Sequence, residues 1–319
     1  MNSNTTRTIM NNLLRLGLAG GIFLAGCGPT FDPASLIETT RVVGARVEVE
    51  GAPDRAMPKP GETANVTWLI TSPEATPPLG WAFAVCTPGT VGGKASLGCE
   101  STPLASFEGT ASPPRISIAV PATSALGSAT ALILYGEICS GVDSGPLFDP
   151  QSGAPGCTGG GGTTVSLSIP VQQGDETNHN PIADRAFTFD GGVWAALATG
   201  EDPCVVGPRV AAGSNDHVIG NLTQGSDRET YTALSSDPPV ATLVRETLQI
   251  SQFTTAGELK NQFSFVDATD SNTETTVDVK WNAPQADAVP AAGLPVTFTF
   301  VVRDNRGGID WTTRVACVN

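Results

Sequence analysis

Val296-Thr297-Phe298-Thr299-Phe300-Val301-Val302-Arg303-Asp304 is followed by Asn305-Arg306-Gly307-Gly308 and then by Ile309-Asp310-Trp311-Thr312-Thr313-Arg314-Val315-Ala316-Cys317. Both long runs are rich in β-branched and aromatic residues, which is typical of paired β-strands. Gly307 and Gly308 can adopt the positive φ that a tight hairpin turn requires. The stretch therefore predicts a C-terminal β-hairpin, the clearest structural signal in the chain.

The rest of the chain also contains β-strand patterns, in shorter segments. It contains 36 Gly and 25 Pro, only 15% of its residues are charged, and long helical periodicity is scarce. Such a composition is typical of a β-rich protein with many turns. Strands are predicted over 41–50, 64–70, 80–86, 115–120, 129–139, 163–171, 185–190, 247–251 and 275–281. Six or seven short strands within about 130 residues favour a Greek-key sandwich for the first part.

A polar segment over 173–182 separates the two parts of the chain. We therefore predict one β-sandwich domain over 40–172, a linker over 173–182 and a second β-sandwich domain over 183–319. His179 lies in this linker and is expected in solvent. No strand is assigned within 204–245, where the pattern is not clear.

Three features resemble known β-sandwich families. The strand order of the first domain is similar to that of bacterial immunoglobulin-like domains, although the antibody-type Cys…Trp…Cys spacing is absent. The Asn180-Pro181 step resembles the entry to cadherin-like or immunoglobulin-like repeats of surface proteins. The turn that contains Asp304, Gly307 and Gly308 resembles the final hairpin of polycystic-kidney-type or cadherin-like domains. These resemblances imply an all-β fold with two immunoglobulin-like β-sandwich domains.

Residues 1–26 have the features of a secretory signal peptide. Arg7 and Arg15 are their only charged residues, and the apolar run 16–26 follows. This run is shorter than the roughly 20 apolar residues that a membrane span needs. At its end, Leu24-Ala25-Gly26-Cys27 resembles the lipobox of bacterial lipoproteins.

The lipobox resemblance implies cleavage before Cys27, a lipid on its thiol and a tether over 27–39. Lipid anchoring is stable with two or three chains, because each buried methylene contributes about 0.8 kcal/mol. Gly28 follows the cysteine, and in lipoprotein sorting a residue other than Asp here favours the outer membrane. The expected location is the cell envelope, on the periplasmic face or the cell surface. An ordinary cleaved signal with a chance cysteine is the alternative.

The chain has seven cysteines, and a lipid on Cys27 leaves an even number for disulfides. An even set in an exported protein is typical of a disulfide framework. Six cysteines allow fifteen connectivities. The preferred pairing keeps each bridge inside one domain: Cys86–Cys99, Cys139–Cys157 and Cys204–Cys317. A core bridge between Cys86 and Cys139 is the alternative for the first four.

The formal net charge is −14, and loss of Arg7 and Arg15 with the signal peptide makes it −16. A chain with this negative net charge repels nucleic acid and anionic lipid head groups. Lys and Arg are sparse and never clustered, so nucleic-acid binding is not expected. The expected partners are the membrane, through the lipid on Cys27, and an unidentified protein or glycan.

No familiar catalytic template occurs in the sequence. His179 and His217 form no HExxH motif, and G-x-S-x-G is absent. A zinc site built on cysteine would compete with the disulfides. His217 follows the turn-like run 214–216 and is interpreted as structural. We therefore expect a protein that is not an enzyme and needs no cofactor.

One group of residues is a candidate calcium site. The oxygen-bearing side chains that cluster between two predicted strands are Asp267, Asp270, Asn272 and Glu274. Hard oxygen ligands on a loop suit calcium, and the acidic chain favours a cation. However, the spacing does not match an EF-hand and the loop lacks glycine, so a solvated acidic turn is the alternative interpretation.

These observations favour a non-catalytic, membrane-anchored envelope lipoprotein that presents β-sandwich domains for binding or structural scaffolding. Because sandwich folds host many functions, the fold alone does not name a partner. One alternative is a carrier that holds a small ligand in an apolar crevice between the domains, lined by Trp194 or Trp281. Another is a hydrolase that acts on envelope polymers.

Overall fold

A computed structural model describes residues 33–91, 94–95, 99, 102–140, 145–149, 154–159, 162–234 and 241–319. Ala34–Asn319 form one compact unit. This unit is built almost entirely of β-strands, so the predicted all-β fold is confirmed. Within the described ranges, no helix is both long enough and apolar enough to cross a membrane. The signal peptide, the lipobox and Cys27 lie outside the described residues.

The first half of the unit is a sandwich of two antiparallel sheets. Its elements are β1 (Arg41–Val49), β2 (Thr63–Thr71), β3 (Leu79–Cys86), β4 (Thr90–Val91), β5 (Lys94–Ala95), β6 (Ala105–Gly109), β7 (Arg115–Ala119), α1 (Thr123–Leu126), β8 (Ala131–Ser140), β9 (Pro146–Phe148), β10 (Pro155–Cys157) and β11 (Gly162–Pro170). One sheet has the order β1-β2-β7 and the other β11-β8-β3-β6, while β4 pairs with β5 and β9 with β10. Alternate side chains of both sheets fill one core around Trp68, Phe83 and Leu134.

The outer face of β3 is also buried. It carries the small residues Gly80, Ala82 and Ala84. A β-carbon at Gly80 would lie 2.7 Å from Pro146, and the Cys99 sulfur lies 3.9 Å from the Ala84 carbonyl oxygen. The small residues therefore make room for loops that cover this sheet.

Gly136 in β8 provides a test of this crowding. A β-carbon there would clash with the carbonyl oxygen of Ala82 and the ring of Phe83. We expect Gly136→Ala to lower the free energy of unfolding by about 2–3 kcal/mol, measured by urea denaturation, because overpacking forces the strands apart. Gly192→Ala is the control, since its β-carbon would make only an ordinary contact of 3.4 Å. Equal losses in both variants would contradict the explanation.

The second half is a sandwich of two five-stranded sheets. Its elements are β12 (Phe187–Phe189), β13 (Gly192–Val193), α2 (Pro203–Val206), β14 (Arg209–Val210), β15 (His217–Gln224), the 3-10 helix Gly225–Asp227, β16 (Thr230–Leu234), β17 (Ala241–Arg245), β18 (Leu248–Thr254), β19 (Glu258–Leu259), β20 (Phe263–Val266), β21 (Glu274–Asn282), the 3-10 helix Ala286–Ala288, β22 (Leu294–Arg303) and β23 (Ile309–Val318). The sheet orders are β13-β12-β15-β21-β19 and β14-β23-β22-β18-β20, and β16 pairs with β17. Trp281, Phe298 and Phe300 lie in the core between the sheets.

The predicted C-terminal hairpin is confirmed as β22 and β23. They pair antiparallel from Leu294 opposite Val318 to Arg303 opposite Ile309. Its two turn glycines have different roles. Gly307 has the expected positive φ of 104°. Gly308 is needed for space, because a β-carbon there would clash with the carboxylate of Asp304.

The range 204–245, to which no strand was assigned, contains β14, β15, β16 and β17. These strands carry few large apolar residues, so their local pattern is weak. β15 nevertheless occupies the centre of a sheet because it pairs with both β12 and β21. Its placement depends on partners that are distant in sequence.

Candidate functional site

The three predicted disulfides are confirmed. Cys86 is bonded to Cys99, Cys139 to Cys157 and Cys204 to Cys317. The alternative bridge between Cys86 and Cys139 is therefore wrong. The first two bridges attach loops to the first sandwich. The third joins α2 to the final strand of the second sandwich across 113 positions of sequence.

Of the four residues considered for calcium, Asp267, Asp270 and Asn272 lie in the loop between β20 and β21, and Glu274 is the first residue of β21. The Asp267 carboxylate accepts hydrogen bonds from the backbone N–H and the hydroxyl of Thr269 (2.8 and 2.7 Å). Asp270 accepts from the Thr275 hydroxyl (2.5 Å) and the Asn272 N–H (2.8 Å). These hydrogen bonds lower the pKa of both carboxyl groups. In the described part of the chain, no three His, Cys, Asp or Glu side chains form a group that could hold a metal ion.

Arg228 organises this loop from inside the protein. Its side chain is almost fully buried, and its guanidinium donates to the carbonyl oxygens of Asp267 (2.6 Å) and Asp270. Burial lowers the pKa of Arg228. Calcium also uses backbone carbonyl oxygens as ligands. In this loop, the guanidinium of Arg228 already binds the carbonyl oxygens of two of the residues predicted to hold calcium, Asp267 and Asp270.

We expect Arg228→Met to lower the free energy of unfolding by about 2–3 kcal/mol, because it leaves carbonyl groups without donors. Calcium at millimolar concentration should leave the Tm of the unaltered protein unchanged. Both results can be obtained by thermal and urea denaturation. Lys260→Met is the control, since Lys260 makes only an exposed contact of 3.5 Å with Glu258. A calcium-dependent rise in Tm would contradict this account of the loop.

The tryptophans proposed to line a crevice between the domains lie elsewhere. Trp194 and Trp281 are buried in the core of the second sandwich. Their indole N–H groups donate to the carbonyl oxygens of Val315 and Ala256, both at 3.0 Å. This part of the carrier hypothesis is wrong, because both rings are needed to fill the core.

The two sandwiches meet in an interface that we call the junction. Its apolar part lies on the outer face of the β22–β23 hairpin, where Val301 and Ile309 pack with Val43 of β1 and with Ile37. Ile37 is held there by its N–H, which donates to the Thr254 carbonyl oxygen at 2.8 Å. The prediction of a tether is therefore wrong for the residues around Ile37, which are docked on the second sandwich.

The polar part of the junction is formed by the predicted linker. The Ala56 N–H donates to the Asn178 carbonyl oxygen (2.9 Å), and the Asn180 N–H donates to that of Asp54 (2.7 Å). The Asn180 side chain then joins the sandwiches, since it donates to the Val47 carbonyl oxygen (2.7 Å) and accepts from the Ile309 N–H (3.0 Å). Asn178 and Asn180 are both buried. This part of the linker thus belongs to the structural core of the junction.

His179 is packed in the junction rather than lying free in solvent as expected. Its ring Nδ1 is hydrogen-bonded to Glu229, and its backbone N–H donates to the same carboxylate at 3.1 Å. Its Nε2 lies 3.7 Å from the Asp54 carboxylate. The expectation was wrong because partners from both sandwiches converge on this segment.

A cluster of charges surrounds Arg306, in the turn of the β22–β23 hairpin. Its guanidinium lies 3.2 Å from the Glu246 carboxylate and 3.3 Å from that of Glu229, and it donates to the Thr177 carbonyl oxygen at 2.6 Å. The exposed fraction of the side chain is 9% for Arg306 and 2% for Glu246. Burial raises the pKa of Glu246. The positive charge of Arg306 thus compensates the carboxylates of Glu229 and Glu246, and its hydrogen bond to Thr177 holds the linker in place.

Asp304, at the start of the same turn, is a second carboxylate, and its side chain is partly buried. It accepts hydrogen bonds from the N–H groups of Arg306 (2.7 Å) and Gly308 (2.8 Å) and from the Asn178 side chain (3.1 Å). Burial raises the pKa of Asp304 in spite of these bonds. The carboxylate therefore determines the turn conformation and connects it to the linker.

A cleft of about 420 Å³ opens beside the junction, between β1, β11 and the hairpin turn. Ala45, Trp68, Leu167 and Ile309 give it apolar walls, and Arg303 adds a positive charge. The Trp68 indole N–H is buried and makes no hydrogen bond within the described residues. Ligand sites commonly have this volume and mainly apolar walls.

Sequence reasoning missed the junction cluster. Glu229 and Glu246 lie 77 and 60 positions from Arg306, and they lie in or beside the range that received no strand assignment. The only local signal was an arginine within a tight turn, which does not identify its partners. No protein-family model matches the sequence, and no curated protein matches it significantly.

Proposed function

We propose that this chain is a membrane-anchored envelope lipoprotein whose two immunoglobulin-like sandwiches form one binding or scaffolding platform. The anchor is supported by the lipobox Leu24-Ala25-Gly26-Cys27. Three disulfides support residence in an oxidising compartment, because such bonds persist in exported proteins. The sheet orders β1-β2-β7 and β11-β8-β3-β6 are compatible with immunoglobulin-like domains.

The junction is the observation that carries the proposal. Neighbouring domains usually move relative to each other unless their interface is substantial. Here the linker, the β22–β23 hairpin and β1 are joined by buried hydrogen bonds and by the cluster around Arg306. A platform of this kind presents loops of both sandwiches in a constant relative orientation, which suits a binding or spacing role.

The anchor is tested by metabolic labelling with a clickable fatty acid in cells that express the full chain. We expect label on the unaltered protein and none on Cys27→Ala. The matched control removes the Cys86–Cys99 disulfide through two alanines and should keep the label. An unlabelled wild-type chain, or a labelled Cys27→Ala variant, would overturn the lipid anchor.

The platform is tested by crosslinking in intact cells, followed by purification of the full chain. We expect the same protein or glycan to be recovered in replicate experiments. Protease treatment of the intact cells assigns the face, because surface display leads to cleavage and periplasmic residence to protection. Failure to recover any reproducible partner would count against a binding role.

A second candidate function, transport of a small ligand, is favoured by the cleft around Trp68. It can be tested by native mass spectrometry of the protein purified from cells, where a retained ligand adds mass. Ser168→Trp should fill the cleft and abolish the added mass, since Ser168 is an exposed residue of its lining. Thr164→Trp, on the same strand but outside the lining, is the control. No added mass on the unaltered protein would remove this candidate.

A further inference from the structure

A hydrogen-bonded chain of Asp, His and Ser side chains lies beside the turn between β12 and β13. His217 Nδ1 lies 2.7 Å from Asp190 Oδ2, and His217 Nε2 lies 2.7 Å from Ser214 Oγ. This is the connectivity of a serine nucleophile, a general base and an acid that orients the base. We propose that Ser214, His217 and Asp190 form an acyl-transfer site that hydrolyses small carboxylic esters, an activity beyond the platform function.

Asp190 is held in place by a tight turn. Asp190 and Gly191 have φ values of 49° and 79°, as expected for a two-residue hairpin turn with Asp-Gly at its centre. One carboxylate oxygen accepts a hydrogen bond from the Val218 N–H at 2.8 Å, and the other faces His217. The turn therefore makes Asp190 a positioning residue for the imidazole.

His217 is oriented by its strand and by aromatic neighbours. It is the first residue of β15 and pairs with Trp281 of β21. Its ring stacks on Phe189, with 5.5 Å between centroids and 26° between planes, and 15% of its side chain is exposed. The stacked ring has little rotational freedom, so its Nε2 stays directed at Ser214.

Ser214 lies in a turn whose backbone is bonded on both sides. Its N–H donates to the Ala211 carbonyl oxygen (3.2 Å), and its own carbonyl accepts from the Ala283 N–H (2.9 Å). The hydroxyl also lies 2.5 Å from the Ala211 carbonyl oxygen, so its single proton is shared between that oxygen and the imidazole. Such sharing weakens the nucleophile, and we therefore expect a slow enzyme.

An anionic intermediate needs a hydrogen-bond donor next to the attacked carbonyl. The peptide N–H that directly follows the nucleophile belongs to Asn215, and it donates no hydrogen bond among the described residues. It is therefore available for an oxyanion. Asp190 is exposed beside the site, whereas the Asp216 carboxylate lies 3.4 Å from the Lys280 ammonium. The uncompensated negative charge of Asp190 therefore favours neutral or cationic esters over anionic ones.

The reaction has two steps, acylation of Ser214 and hydrolysis of the acylated serine. Ser214 Oγ adds to the ester carbonyl and its proton passes to His217 Nε2. The ester C–O bond then breaks, the alcohol leaves with that proton, and Ser214 is acylated. Water adds to the acyl group and gives a proton to Nε2, and Ser214 leaves with this proton as the carboxylic acid is released.

The test uses the full chain with a fluorescent fluorophosphonate, which reacts with activated serines, and with p-nitrophenyl acetate as substrate. We expect stoichiometric labelling that peptide mapping assigns to Ser214. Ser214→Ala and His217→Gln should each lower the rate of ester hydrolysis by roughly 100-fold. Ser226→Ala, at an exposed serine in a 3-10 helix, should behave as the unaltered protein.

The variant Asp190→Asn distinguishes a role of Asp190 in orienting the His217 imidazole from a role in folding. The amide keeps an oxygen for the Val218 N–H, so the Tm should not change, while kcat should fall with KM unchanged because the imidazole loses its orienting acceptor. Circular dichroism verifies that each variant is folded. Labelling of Ser214→Ala at the unaltered rate would overturn the proposal. So would a native chain that reacts no faster than the heat-unfolded chain.

Discussion

Removal of the Cys204–Cys317 disulfide by two Cys→Ala substitutions should lower the free energy of unfolding by about 4–5 kcal/mol. The bridge closes 113 positions of chain, and the entropy that a crosslink removes from the unfolded state rises with the length of the closed loop. Cys317 is also completely buried in the second sandwich. The loss can be measured as a lower midpoint of guanidinium denaturation.

The Cys86–Cys99 pair is the matched control, because it closes only 13 positions. Its removal by the same two substitutions should cost about 3 kcal/mol or less. If removal of the short bridge destabilised the protein as much as removal of the long one, loop closure would not explain the stabilisation. The effect would then come from packing around the sulfur atoms.

The second large effect is expected at Arg306. Arg306→Leu should lower the free energy of unfolding by about 3–5 kcal/mol, because it leaves the buried Glu246 carboxylate without its cation. Urea denaturation at neutral pH measures the loss. Arg303→Leu is not a suitable control, since Arg303 also donates across the junction to the Val43 carbonyl oxygen. Arg209→Leu is the control, at an exposed arginine in β14.

A double-mutant cycle isolates the charge pair. Combining Arg306→Leu with Glu246→Gln should recover about 1–3 kcal/mol relative to the sum of the single losses, because the second substitution removes the uncompensated charge. Strictly additive losses would mean that Arg306 acts through its packing and through its bond to Thr177 rather than through Glu246.

The junction also predicts a pH dependence with a defined sign. Burial raises the folded-state pKa of Glu246 above its ordinary 4.5, so the folded chain binds this proton more tightly than the unfolded chain. The resulting stabilisation is complete below the ordinary pKa and is lost as pH rises through the folded-state pKa. The stability of the unaltered protein relative to Glu246→Gln should therefore increase as the pH falls from neutral towards 4.5. A constant difference would contradict the raised pKa.

Much of the fold could be predicted from local pattern. The strands around Val47, Val66, Ile118 and Val279 were found because their side chains alternate between a buried and an exposed face. The preferred disulfide pairing rested on an even cysteine count and on the assumption that each bridge stays inside one sandwich, which still allowed a bridge between Cys86 and Cys139. The strand assignments need only residues that are close in sequence, and the disulfide inference needs only the number and order of the cysteines.

The functional geometry depends on contacts between residues that are distant in sequence. The linker has a polar composition, which is typical of a solvated segment, yet Asn178 and Asn180 are buried. The junction provides hydrogen-bond partners for the Asn178 side-chain nitrogen and for both side-chain polar atoms of Asn180. In the same way, His217 faces an aspartate 27 positions earlier, and no spacing rule connects the two.

The sequence alone was sufficient for the class of the fold, for the C-terminal hairpin and for an even set of six cysteines available to disulfides, because strand periodicity and cysteine number are local or countable properties. The choice between the Cys86–Cys99 and Cys86–Cys139 bridges needed the structure. The tertiary structure decided that the two sandwiches form one unit, that Arg228 occupies the acidic loop, and that Ser214, His217 and Asp190 come together. Each of these depends on which surfaces meet after folding. Which charged groups become buried, and which opposite charges or hydrogen bonds compensate them, also depends on these tertiary contacts.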